Sequence, residues 1–252
     1  MNRLTAPSVL LAFAITAALS GTALADNPPD LSKVNGSLSA DAGREYGDID
    51  TVNGSITINS DAVARDVDTV NGSITLDARA RVDDVSTVNG RIVARKSVQA
   101  RSIETVNGSI VGVSNVKITK SVEAVNGSIE IGAHSTVGEN VETVNGSILL
   151  LAMKVGGDVG TVNGNITLGA DTQVERNLIV RKPTGWGFNW GKPKVPRIVL
   201  GPNSIVKGNL VFEREVELYV HSTAKYGEIK LTDKDASAVK PIVFTGKEPD
   251  FK

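Results

Sequence analysis

The sequence predicts an all-β chain wound as a single-stranded parallel β-helix, a three-sided β-solenoid of about 10–11 coils with 18–19 residues each. Three observations predict it. Val-Asn-Gly occurs eight times, starting at Val34, Val52, Val70, Val88, Val106, Val125, Val144 and Val162, with successive starts 18, 18, 18, 18, 19, 19 and 18 residues apart. After each motif from Val52 to Val162, aliphatic residues tend to recur two apart, as in Ile56/Ile58, Ile74/Leu76, Ile92/Ala94, Ile129/Ile131, Ile148/Leu150 and Ile166/Leu168, so both side chains point to one face of a strand. A second aliphatic precedes the motif valine by three: Ile49, Val67, Val85, Ile103, Val122, Val141 and Val159.

Each coil reads as three short strands and three corners, with Asn-Gly at one corner, where positive φ is easy and the chain turns. A two-residue Asn-Gly loop otherwise signals an antiparallel hairpin, but here the flanking runs are too short and the whole unit repeats. One coil cannot bury its own apolar face, so neighbours stack, with equivalent positions about 4.8 Å apart. The expected consequence is an internal amide ladder of Asn35, Asn53, Asn71, Asn89, Asn107, Asn126, Asn145 and Asn163, each side chain bonded to the next. A hydroxyl row of Ser37, Ser55, Ser73, Ser109, Ser128 and Ser147 runs beside it. Val and Ile dominate the apolar set and suit a narrow interior; aromatics, at 4%, have little room there.

In chain order, residues 1–25 read as a secretory signal peptide: Arg3, an apolar run from Val9 to Leu19, then Ala23-Leu24-Ala25 as a cleavage site before Asp26. The run is short for a membrane-spanning helix, which needs about 20 residues, and no later stretch approaches that length. The expected location is therefore outside the cytoplasm: periplasm, outer-membrane-associated or cell surface. With zero cysteines there is neither a lipid-attachment cysteine nor a disulfide.

Residues 26–33, with Pro28-Pro29, form a lead-in or cap, and the solenoid is assigned to residues 34–232. Beyond Val162 the coils continue in altered form, as Val155-Gly-Gly-Asp-Val159 is echoed by Val174-Glu-Arg-Asn-Leu178 and Val206-Lys-Gly-Asn-Leu210. Residues 181–197 are inserted as an aromatic loop, and residues 233–252, with Pro241 and Pro249, form a polar tail that caps the last coil.

The signal peptide followed by repeated Val-Asn-Gly-Ser-Ile resembles a family of exported bacterial β-strand-repeat proteins described as adhesins, over about residues 34–168. The stretch Ile198 to Ile229, with Gly208-Asn209-Leu210 and Gly227-Glu228-Ile229, resembles bactofilins, the polymer-forming bacterial cytoskeletal proteins. The second resemblance implies a right-handed, roughly triangular β-helix that polymerises end to end without nucleotide. Bactofilins are typically cytoplasmic, whereas this chain carries an export signal. Neither family supplies catalytic residues.

Functional candidates are few. Lys+Arg is 27 against Asp+Glu 28, a net charge of -1 that points to no nucleic-acid partner. His134 and His221 are the only histidines, about five coils apart, and read as exposed corner residues rather than a metal site or a catalytic pair. No nucleophile elbow or phosphate-cradling loop is present, so no catalytic set, metal or cofactor is expected. Asp83-Asp84 and Asp66/Asp68 are carboxylate pairs of the kind a β-helix lyase or hydrolase would need, and read as solvated corners. Arg79, Arg81, Arg91, Arg95, Lys96 and Arg101 cluster within two coils; Arg91, Arg95, Lys96 and Arg101 would make a basic stripe for anionic polysaccharide or lipid headgroups, or a salt-bridged face. Trp186, Phe188 and Trp190 alternate by two in a Gly-rich loop, as a contact surface for sugar, partner or membrane, or as a lid folded over an apolar face. The functional expectation is a non-catalytic envelope protein acting by surface contact or end-to-end self-association, with envelope polysaccharide or another envelope protein as further partners. The rival is an enzyme or binding module for envelope polysaccharide.

Overall fold

The computed structural model describes residues 27–183, 195–232 and 239–249. Among these, every regular element is a β-strand, and every strand pairing is parallel. The strands stack into three sheets: a first sheet of 11 strands, a second of 11 and a third of 9. This is the three-sided β-solenoid, with about 11 turns. A typical coil contributes Ile49–Asn53 to the first sheet, Ile56–Ile58 to the second and Val63–Ala64 to the third. The register advances by one period: Ile49 pairs with Val67, Ile56 with Ile74 and Val63 with Arg81.

The interior is built from columns. Ile49, Val67, Val85 and Ile103 stack inward from the first sheet; Ile56, Ile74, Ile92 and Ile110 do so from the second, and all are buried. Branched side chains one strand spacing apart fill a narrow core without voids. The other inward position of the first sheet is not aliphatic but threonine. Thr51, Thr69, Thr87 and Thr105 are buried, while the motif valines Val52, Val70, Val88 and Val106 face outward and are partly exposed.

The burial of threonine has a specific cause. Thr69 Oγ1 donates to the Gly54 carbonyl at 2.9 Å, Thr87 to Gly72 at 3.0 Å and Thr143 to Gly127 at 2.9 Å, so each hydroxyl satisfies a corner carbonyl that the ladder leaves open. Ala124 replaces the threonine once within the ladder, and beyond the last Asn-Gly corner Val180 and Phe212 occupy the same column, both fully buried.

The corner glycines also differ from expectation. Only Gly36 and Gly43 have positive φ among the described glycines. A Cβ on Gly54, Gly72, Gly90 or Gly108 would instead fall into the carbonyl of the corner glycine one coil below. Glycine is there for close backbone approach, not for turning. Left-handed residues lie at the second corner: Asp61, Arg79, Ser97, Asn115, His134, Ala152, Asp171 and Asn203, at φ between 46 and 63°.

Both ends depart from the assigned boundaries. Gly47 N–H donates to the Pro29 carbonyl at 3.0 Å and Asp48 N–H to Asp30 Oδ1 at 2.9 Å, so the lead-in already follows the coil path. At the other end, Ile242–Phe244 pairs in parallel with Tyr219–His221 as the last strand of the second sheet, so this part of the tail extends the solenoid rather than folding across it.

Candidate functional site

The Asn-Gly corner runs along the edge between the first and second sheets. Asn53 Nδ2 donates to Asn35 Oδ1 at 3.0 Å, and the pattern repeats through Asn71, Asn89, Asn107, Asn126, Asn145 and Asn163 at 2.8–3.0 Å. All eight asparagines are exposed, so the ladder lies on the outer edge rather than inside. Inward positions are already taken by threonine and by the aliphatic columns. Every amide donates toward the N-terminal end, which leaves an acceptor at the last rung. Arg214 fills it, donating to Asn163 Oδ1 at 2.9 Å and to the Val162 carbonyl at 3.2 Å. The serine hydroxyls accept from the next coil's backbone: Ser55 N–H and Ser73 N–H each reach the Oγ below at 3.3 Å.

Trp186, Phe188 and Trp190 lie outside the described residues, as does the segment 1–25 that the sequence reads as a signal peptide. The described strands on either side of them stay in the solenoid just beyond the last rung of the Asn ladder: Val180 stacks on Thr161, and Arg197–Leu200 pairs with the strand Ile166–Leu168.

The basic residues do not line up as one stripe. Arg91 stands in the serine row of the Asn-Gly corner, Arg95 and Lys96 follow the second-sheet strand Ile92–Ala94, and Arg101 precedes the first-sheet strand Ser102–Asn107. Several cations are neutralised across one period. Arg79 makes a two-point bond to Asp61 at 2.7 and 2.6 Å, Arg95 meets Asp77 at 2.9 Å, Arg65 meets Asp48 at 3.0 Å, and Arg101 bonds Asp84. The Arg79 hydrogen bonds hold the Asp61 carboxyl below its ordinary range.

Asp68, expected at a solvated corner, stands instead half-buried within a strand, in a carboxylate column that the pairs Asp66/Asp68 and Asp83-Asp84 show only in part. Ser32, Asp50, Asp68, Ser86, Glu104, Glu123 and Glu142 stack outward on the first sheet, with Asp48, Asp66 and Asp84 beside them. Burial, then the neighbouring carboxylates, push Asp50 and Glu104 up. Asp66 and Glu123 rise chiefly by burial. Asp68 is pushed up to about 6 by burial, although it accepts a short hydrogen bond from Ser86 that acts the other way. Buried Glu142 is answered by Arg181 at 2.9 Å, whose guanidinium reaches over the side-chain-free Gly160 of the coil between. The signal that could have found this column was the period itself, since its members recur every 18–19 residues.

Of the two histidines, His134 is an exposed second-corner residue, but His221 is buried in the second sheet. Its ring sits edge-on to Phe244 at 5.2 Å, and its Nδ1 accepts from Thr223 N–H at 3.2 Å. No group of three or more His, Asp or Glu side chains among the described residues is arranged to hold a metal ion.

The two ends form the remaining site. The strands Leu31–Asn35 and Leu38–Ala40 are first in their sheets, and Ile229–Leu231, Ile242–Phe244 and Lys225–Tyr226 are last, so each has one neighbour only. Six large hydrophobics are exposed among the described residues, and four of them, Val34, Leu231, Ile242 and Val243, lie in these terminal strands. Ile242 and Val243 are 51% and 66% exposed, which for adjacent residues on a sheet edge is an uncovered apolar patch.

No family model, no curated protein and no solved structure matches this chain. The adhesin-like and bactofilin-like resemblances rest on the repeat motifs alone.

Proposed function

We propose that the chain is a non-catalytic, exported structural protein of the cell envelope that joins copies end to end through its open sheet edges. The observation that carries this reading is the concentration of exposed apolar side chains in the terminal strands. Because every strand is parallel, the first coil of one copy set on the last coil of another continues the sheets with the same polarity. Such a contact is heterologous and does not close, so it generates a filament rather than a dimer. Unpaired edges add backbone hydrogen bonds to the apolar contact. Against the enzyme alternative, the raised carboxyls Asp50, Asp68, Glu104 and Glu123 stand in single file along one sheet face with Asp66 beside them, where burial and stacking account for them.

The test is light scattering on residues 26–252. The expected result is a concentration-dependent series of species above the monomer that persists at high salt, because the contact is apolar and backbone-mediated. Ile242→Lys with Val243→Lys should hold the protein monomeric at unchanged circular dichroism. A wild-type chain that stays monomeric at millimolar concentration overturns the proposal.

A further inference from the structure

The outward column of the third sheet has a chemistry unlike the other faces. Arg81, Gln99, Lys117, Thr136, Lys154 and Gln173 stack in six successive coils, cation alternating with neutral hydrogen-bonding side chain. The residue after each points inward and is buried: Val82, Ala100, Ile118, Val137, Val155 and Val174. The outward orientation of the column is therefore fixed by the core. Five of the six are exposed, and Gln173 is half-buried.

These cations differ from the arginines on the corners. Arg65, Arg79, Arg95 and Arg101 each hold an aspartate of the preceding coil. Lys117 and Lys154 take part in no ion pair among the described residues, Arg81 makes none within 4 Å although its charge also acts on Asp61, and the column from Arg81 to Gln173 contains no carboxylate. Beside Lys154, at the corner leading to the first sheet, lies an open hollow of about 310 Å³. It is lined by Gly138, Gly156, Gly157, Asn140, Glu139 and Arg176.

We propose that this column is a binding track for a linear acidic polysaccharide that carries one carboxylate on every second sugar. Cations two coils apart recur about every 9.6 Å, twice the strand spacing, which is close to the advance of one disaccharide along an extended chain. Gln99, Thr136 and Gln173 then meet the uncharged sugars, offering amide and hydroxyl groups to their hydroxyls. A nucleic acid or polyphosphate would set charge against these neutral positions as well. An anionic membrane is a poorer match, because the column presents neither aromatic nor large apolar side chains to enter it. The hollow two residues on from Lys154 leaves room for an uncharged substituent on the glycan, with Arg176 and Glu139 both at its wall.

The track does not depend on end-to-end association, so it is tested on both the wild-type chain and the Ile242→Lys/Val243→Lys variant. Binding is measured calorimetrically with hyaluronan oligosaccharides (one carboxylate per disaccharide), polygalacturonate (one per sugar), neutral dextran and phosphatidylglycerol vesicles. Hyaluronan should bind best, dextran not at all, and the end variant should bind like wild type. Affinity should fall as salt rises, because the contacts are between solvent-exposed charges that salt screens. Lys117→Gln with Lys154→Gln should weaken binding at least tenfold. Arg91→Gln with Lys96→Gln, which removes two exposed cations outside the column, should leave it within twofold. The proposal is overturned if wild type does not bind hyaluronan, or if polygalacturonate or the vesicles bind as tightly. An equal loss from the off-column pair overturns it too, since total charge would then govern binding.

Discussion

Gly90 and Gly43 are both glycines at coil corners, yet they are needed for different reasons. A Cβ on Gly90 would collide with the backbone carbonyl of Gly72, whereas Gly43 has open space around it and a φ of +69°. Backbone on the lower coil cannot swing aside as a flexible side chain would, so Gly90→Ala forces two coils apart and strains their hydrogen bonds. The expected cost is about 3 kcal/mol or more, at the upper end of overpacking. Gly43→Ala meets only the left-handed backbone penalty of about 1–2 kcal/mol. Chemical denaturation of the two variants separates the causes; equal losses would mean that conformation, not contact, selects the corner glycines. At this scale the sequence was legible in part. Asn-Gly marked the corner and the amide ladder, but the choice of which side chain turns inward depends on an open carbonyl inside the corner. That demand buries Thr69 and turns Val70 outward, the reverse of their hydropathies.

Among the elements, the carboxylate column of the first sheet makes a prediction about pH. Asp50, Asp66, Asp68, Glu104 and Glu123 all hold their protons more tightly in the fold than in the unfolded chain, Asp68 up to about 6. The folded state therefore binds more protons in the window between about 4 and 6, and its stability rises as pH falls through that window. The contribution is complete below the unfolded value and is lost as pH climbs past about 6. The melting temperature should accordingly be several degrees higher at pH 5 than at pH 7.5. Below pH 4 the trend reverses, because Asp61, held down by Arg79, begins to protonate and release its partner. Asp68→Asn keeps an acceptor for the Ser86 hydroxyl and removes the charge. It should melt above wild type at pH 7.5 and coincide with it near pH 4.5. A wild-type melting temperature that falls steadily from pH 7.5 to 5 would refute the account. The column was written in the sequence at a separation of one period, and so were the corner ion pairs outside it, as in Asp61 and Arg79 or Asp77 and Arg95. The third sheet was harder to read, because strands of two residues carry no periodicity of their own and are defined only by their neighbours in the stack.

For the whole molecule, the stack is close to one-dimensional: each coil touches the coil above and the coil below, and little else. Stability is then a sum over coils and their interfaces, and a complete coil is a removable unit. Val85 to Ser102 is one such unit of 18 residues. Deleting it sets Ile103 on Val67, Thr105 on Thr69 and Asn107 on Asn71, positions that match in kind with those now separated by the deleted coil. The shortened chain should keep its circular dichroism spectrum and melt cooperatively, a few degrees below wild type, because one coil interface is lost. The carboxylate column closes up as well, bringing Glu104 onto Asp68 in place of Ser86, so the penalty should be larger at pH 7.5 than at pH 5. Deleting only Val85 to Val93 removes half a turn instead. It would set the first-sheet column against the second and turn Lys96 into the buried position of Thr87, and the expected outcome is a chain that does not fold cooperatively. If both deletions were tolerated equally, or the full-coil deletion unfolded the protein, coil-by-coil additivity would be refuted. Loss of the fold on the full-coil deletion would mean that the solenoid folds as a single cooperative body.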